Sequence, residues 1–181
     1  MSTVHLVDLA TGVCTTQPNL IHSHDMVRRR PDGCVVCTGG YEILSSAEVL
    51  SPSAQVAVDA TWTQRELLAL SVERSSCCGC VLSEGHFAVL GGRDNNGQIL
   101  PSCEAMAVGD GEHWEHLPPM HDARTSFACA AVAGCIIVVG GYGLTSAEVF
   151  DEVLDRWLRP PRDLLFDDDD DKLCNMGSAP L

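Results

Sequence analysis

Short apolar runs closed by glycine punctuate this chain at nearly even intervals. The clearest are Cys34-Val35-Val36-Cys37, Phe87-Ala88-Val89-Leu90 and Cys135-Ile136-Ile137-Val138-Val139. Each leads into a glycine doublet, Gly39-Gly40, Gly91-Gly92 and Gly140-Gly141, at spacings of 52 and 49 residues. A lone glycine (Gly33, Gly85, Gly134) precedes each doublet by six residues. Apolar runs this short suit strands covered on both faces better than helices. An alternating stretch follows each doublet, with Glu48, Glu104 or Glu148 at its centre, and then Trp62, Trp114 or Trp157. Upstream of the second and third copies stand Arg74 and Arg124; in the first copy that place falls near Ser23, and the pattern breaks there. Helical spacing is almost absent. Only 65–70 could form one helical turn, and its place after Trp62 favours an extension of an outer strand. The pattern predicts an all-β chain of four-stranded units with a period near 50.

Physical reasons accompany each mark. A doublet of glycines fits a turn packed against another backbone, where no side chain is tolerated and positive φ is needed. A tryptophan supplies a broad apolar surface to seal one sheet against the next. A carboxylate inside a packed strand must be paired or hydrogen-bonded. Arg74 and Arg124 are the partners to expect for the repeated glutamates; a ring of catalytic acids is the functional alternative.

These marks together resemble the kelch repeat, most closely at Trp114-Glu115-His116-Leu117-Pro118-Pro119-Met120 before Arg124, and again at Trp157 to Pro161. The resemblance covers roughly residues 4–165 and implies a kelch-type β-propeller of about three and a half four-stranded blades. Its divisions are the C-terminal half of a leading blade at 1–21, repeats at 22–70, 71–120 and 121–165, and an acidic disordered tail at 166–181. Propellers usually close into rings, so the count predicts an incomplete propeller with open blade faces and unpaired edges. The chain is then a fragment of a longer product, an assembly with a second chain that closes the ring, or an open arc. The first is the expectation favoured by a start in mid-repeat.

Composition narrows the functional classes. Of 181 residues, 45% are apolar, enough for a full core. Against 11 basic residues stand 25 acidic ones, giving −14. Asp167 to Asp171 and Lys172 account for −4 of this, so the remainder stays near −10. That sign argues against nucleic-acid partners, and Arg28-Arg29-Arg30 is the sole basic cluster. The start MSTVHLVDLATG lacks a secretory pattern, and no run reaches the roughly 20 apolar residues of a membrane span. Ten cysteines suggest zinc or disulfides. Yet Cys34 and Cys37 alternate to opposite strand faces, and Cys77, Cys78 and Cys80 have no matched pair downstream. They are expected as small buried hydrophobes in a reducing, intracellular and cytoplasmic setting. Asp168 to Lys172 resembles an enteropeptidase site by coincidence, and the uninterrupted aspartates lack the spaced ligands of a calcium loop.

No cofactor is expected. Galactose oxidase shares kelch-type blades and holds copper with tyrosine and histidine, but Tyr41 and Tyr142 here simply follow glycine doublets. His113, His116 and His121 cluster in one turn without completing a ligand set. Sialic-acid mutarotases share only the architecture. The expected role is a non-catalytic protein-interaction module, whose loops on one face carry a protein partner of unknown identity. Arg74, Arg93, Asp94, Asn95, His121 and Arg124 are the candidate binding residues; ordinary turn chemistry is the other reading of the same positions. Arg74 and Arg124 cannot both pair with inner glutamates and reach a ligand. A BTB-kelch ubiquitin-ligase adaptor is the alternative, although no BTB or BACK segment is written here. A kelch-fold oxidase or mutarotase is the third reading.

Overall fold

The computed structural model describes residues 2–7, 10–24, 26–39, 45–52, 62–107 and 112–161. Gly40 and the expected acidic tail, 166–181, lie outside the described residues.

Among the described residues every regular element is a strand. Strands β1 (Ser2–Val7) and β2 (Cys14–Leu20) form a two-stranded antiparallel sheet. Three four-stranded meanders follow in strict sequence order. Blade 1 holds β3 (Met26–Arg29), β4 (Val35–Thr38), β5 (Ala47–Ser51) and β6 (Thr63–Leu67). Blade 2 holds β7 (Cys78–Val81), β8 (Phe87–Leu90), β9 (Cys103–Ala107) and β10 (His113–Leu117). Blade 3 holds β11 (Ala128–Val132), β12 (Cys135–Val139), β13 (Ala147–Asp151) and β14 (Arg156–Leu158). Residues 65–67 are outer strand, not helix.

First strands meet first strands: β7 touches both β3 and β11, while β2 reaches the outer strand β6. The sheets therefore stack side by side around a common inner edge. Their apolar faces fuse at each junction. Met26, Val36 and Val49 of blade 1 pack on Phe87 and Val89 of blade 2. Cys78, Cys80, Ala88 and Leu90 of blade 2 pack on Cys129, Ile136, Val138 and Phe150 of blade 3. Blade 2 is thus covered on both sides, and all four residues of β8 are 0% exposed.

Blade 3 departs from the expectation of a strand buried on both faces. Ile136 and Val138 are 0% exposed, but Ile137 between them is 36% exposed. It occupies the place of fully buried Ala88. No described sheet stacks beyond blade 3, so the alternate side chains of β12 face outward.

Tryptophans close the outer ends of the junctions. Trp157 is buried with its ring 5.3 Å from Phe150, and Trp114 meets Phe87 edge-on at 6.4 Å. The indole Nε1 of Trp114 donates to Leu68 O and that of Trp157 to Pro118 O, each at 2.7 Å. Both acceptors lie at the exit of the preceding blade, so each indole fastens its own blade to the one before. Trp62 is half-buried against Leu20, Cys37 and Leu50.

The glycine doublets sit where backbones cross. Gly91 has φ +57°, and a Cβ there would lie 2.6 Å from Arg124 O; Gly92 has φ +102°, with Ser75 O 2.8 Å from its would-be Cβ. The amide of Gly92 donates to Arg124 O at 2.8 Å, a bond that ties blade 2 to blade 3. Any side chain would push these strands apart.

Candidate functional site

One end of every blade is organised by its repeated glutamate. Glu48, Glu104 and Glu148 are all 0% exposed. Arg74 Nη2 donates to Glu104 Oε1 at 2.6 Å, and Arg124 Nη2 donates to Glu148 Oε1 at 3.0 Å. Each arginine also bonds the first glycine carbonyl of its blade's doublet, Gly91 O at 2.7 Å and Gly140 O at 2.6 Å. Each carboxylate accepts from the turn entering its blade: Glu104 from the Ser71 amide, Glu148 from the amides of His121 and Asp122. Burial works against ionisation of Glu148. The amides of Asp122 and His121, the His121 ring and Arg124 together outweigh it and hold the carboxyl below the usual glutamate range. Arg74 and Arg124 are themselves 0% exposed, so of the two roles read from the sequence the structure shows the inner pairing.

Blade 1 solves the same problem with a different residue. The break seen near Ser23 is filled by His24, whose Nδ1 lies 2.9 Å from Gly39 O and whose Nε2 lies 2.9 Å from Glu48 Oε1. These are the blade-1 counterparts of the two bonds made by each arginine. His24 precedes β3 by two residues, whereas Arg74 and Arg124 precede β7 and β11 by four. A ring therefore reaches from a closer start where a guanidinium reaches from a longer one. Glu48 also accepts from the amides of Ile21 and His22 and from Gln64. Burial opposes ionisation of Glu48, but these donors and His24 prevail and lower its proton affinity.

On this belt rest the loops of one face. The loop 93–99 is clamped by paired backbone bonds between Arg93 and Ser75, 2.9 Å each way. The Ser126 amide reaches Ser76 O and the Tyr142 amide reaches Thr125 O, both at 3.0 Å. Backbone bonds thus join loops 71–76, 93–99, 120–126 and 140–146 into one surface. Within it, Asp94 Oδ1 accepts from the amides of Asn96 and Gln98 and shapes the loop tip. Asn95 is exposed and donates to Glu73 at 3.1 Å. Arg93 is exposed. His121 is exposed, and its Nδ1 lies 2.7 Å from Glu148 Oε2, so its ring is held by the belt. The structure therefore brings Arg93, Asp94, Asn95 and His121 to the surface of one face, with Arg74 and Arg124 beneath them. Sequence reasoning missed Tyr142, which is 68% exposed on the same face. The sequence places an aromatic residue in the turn just past the doublet but does not say which side of that turn meets water.

His113 and His116 lie on outer strand β10, His113 Nε2 2.8 Å from Glu115. Among the described residues no group of three or more His, Cys, Asp or Glu side chains is placed to hold a metal ion. No described helix is long and apolar enough to cross a membrane. The opposite face carries a cleft of about 350 Å³ between blades 2 and 3, lined by Leu82, Ser83, His86, Phe150, Glu152 and Val153 among others. Ser83 and Glu152 bond each other across it.

Four-stranded meanders stacked around a shared inner edge, with carboxylates buried at one end, define an incomplete β-propeller. A scan of protein-family models gives no match. Among curated proteins, the chain is 43% identical over 56 residues to an F-box/kelch-repeat protein of Arabidopsis thaliana, covering 28% of this chain and 15% of that protein. A second F-box/kelch-repeat protein of the same plant is 37% identical over 78 residues, covering 37% of this chain and 21% of the relative. This chain therefore spans only a small part of the curated relatives' length. Among solved structures, that of YjhT superposes with a TM-score of 0.63 at 14% identity, covering 80% of this chain and 52% of that one, a likeness of fold. The repeats of this chain are thus similar in sequence to parts of two plant F-box/kelch-repeat proteins.

Proposed function

We propose that this chain is a non-catalytic interaction module that holds a protein partner across the face bearing Arg93, Asp94, Asn95, His121 and Tyr142. The observation that carries the reading is the bonding between the loops: the turns of blades 2 and 3 are fastened to one another and to the glutamate belt. Recognition residues on such a surface are ordered before a partner arrives, which lowers the entropy lost on binding. Arginine and tyrosine are the side chains that most often dominate protein interfaces.

A second reading is favoured by the names of the curated relatives, which join an F-box to kelch repeats. In that reading the same face is the substrate-recognition part of a ubiquitin-ligase adaptor, and the module that recruits the ligase lies elsewhere in the protein. A cytoplasmic setting suits both readings.

Capture from cell extract on the tagged chain tests the face. Arg93→Ala with Asn95→Ala should lower recovery of specific partners roughly tenfold, about the effect of removing one strong interface contact. Val153→Ala, 89% exposed on the opposite face, should leave recovery unchanged. Equal recovery by the loop variant and the unaltered chain would remove this face from consideration.

A further inference from the structure

We propose that Cys78 and Cys129 are an oxidisable pair, which a two-electron oxidant such as hydrogen peroxide converts to a disulfide joining the inner strands of blades 2 and 3. Their Sγ atoms lie 2.8 Å apart across the junction, and each residue is 4% exposed. The repeat itself puts them there. At each junction the first residue of one inner strand meets the second residue of the next. In the junction of blades 1 and 2 those residues are Met26 and Gly79, and a Cβ on Gly79 would run into the Met26 side chain. One position is filled by a long thioether and the other is empty. In the junction of blades 2 and 3 the same space is divided between two thiols. Cys129 also bonds Gly79 O at 3.2 Å, which fixes the second sulfur from the side of the neighbouring strand.

The chemistry balances with peroxide as the sole co-reactant. One sulfur attacks the O–O bond; an S–O bond forms, and water leaves with the thiol proton. The second sulfur then displaces the sulfenic oxygen, which departs as a second water while the S–S bond forms. Two thiols lose two protons and two electrons, and one peroxide becomes two waters. The bond with Cys78 draws the Cys129 thiol down, but its contact with Cys80 and its burial prevail and push it up. Oxidation is accordingly slow at neutral pH and quickens as pH rises. The product closes a loop between residues 51 apart and couples the turns of blades 2 and 3 that form the loop face.

The full chain should be treated with hydrogen peroxide at pH 7 and pH 9, alkylated in denaturant, digested and mapped by mass spectrometry. The expected product is a Cys78–Cys129 cross-linked peptide, lighter by two hydrogens, formed faster at pH 9. The thermal midpoint of the oxidised chain should rise by roughly 5–15 °C and return on reduction. Cys78→Ser should abolish the cross-link, while Cys80→Ala should keep it. Exposed Cys14 serves as the internal gauge of oxidant dose. Complete oxidation of Cys14 with no Cys78–Cys129 peptide would overturn the proposal, and so would a bond from Cys129 to Cys80 instead.

Discussion

Replacing Arg124 with methionine isolates the energetic role of the buried belt. Methionine keeps most of the aliphatic volume and deletes the guanidinium, which donates to Gly140 O at 2.6 Å, Ser146 O at 2.9 Å, Ser146 Oγ at 2.8 Å and Glu148 at 3.0 Å. Not all of these acceptors are stranded. Ser146 O keeps the Gly140 amide at 3.0 Å, and Glu148 keeps the amides of His121 and Asp122. What is left exposed to cost is a carboxylate without its cation and a glycine carbonyl without its donor. Breaking a buried ion pair by removing one partner typically costs about 3–5 kcal/mol, and the surviving amide bonds place Arg124→Met near the lower end, about 3 kcal/mol. Against a domain stability of roughly 5–15 kcal/mol this is a large fraction. Urea unfolding at pH 7, followed through tryptophan fluorescence, reads it directly, because Trp157 packs in the same blade. The midpoint should fall with the slope unchanged. Adding Glu148→Gln should cost less than the sum of the single changes, by roughly 1–3 kcal/mol, because the double variant buries no unpaired charge. A loss below about 1 kcal/mol, or strict additivity of the two changes, would refute the claim that the pair acts as a unit.

Two other consequences are open to measurement. Glu48 and Glu148 have lowered proton affinity when folded, so between their folded values and the ordinary value near 4.3 the unfolded chain binds more protons. Their contribution is present at neutral pH and is lost as pH falls below about 5; the urea midpoint should drop steadily from pH 5 to pH 3.5, and a midpoint that held or rose would contradict the buried-carboxylate assignment. Gly91→Ala combines a left-handed φ with a Cβ 2.6 Å from Arg124 O, and should cost roughly 3 kcal/mol or more in the same assay; a loss under about 1 kcal/mol would mean that the strands cross with room to spare.

The fold was legible because its physics repeats. Three apolar runs, three glutamates and three tryptophans at a near-constant period left little freedom in strand order, and the arginine–glutamate pairing followed from the cost of a lone buried carboxylate. Two features were hidden. His24 does not show in the repeat because it differs in residue type from Arg74 and Arg124, and a histidine two residues nearer its strand makes the same two bonds by different geometry. Tyr142 was absorbed into the doublet motif, since a sequence does not say which side of a turn meets water. The cysteines read as small hydrophobes, and most of the described ones are buried or half-buried as such. That two of them meet sulfur to sulfur depends on how one blade's inner strand slides along the next, an offset that no single repeat encodes.

The uneven cover of the three blades gives the array a gradient of durability. Blade 2 is sheltered by a neighbour on each flank, while Ile137 in blade 3 is 36% exposed. In a stack whose members lean only on those beside them, stability sums over junctions, and a terminal member holds through one junction where a central member holds through two. Among the described residues the loop 93–99 is therefore rooted in the sheet that has a full neighbour on each flank, and its shape is the costliest to lose.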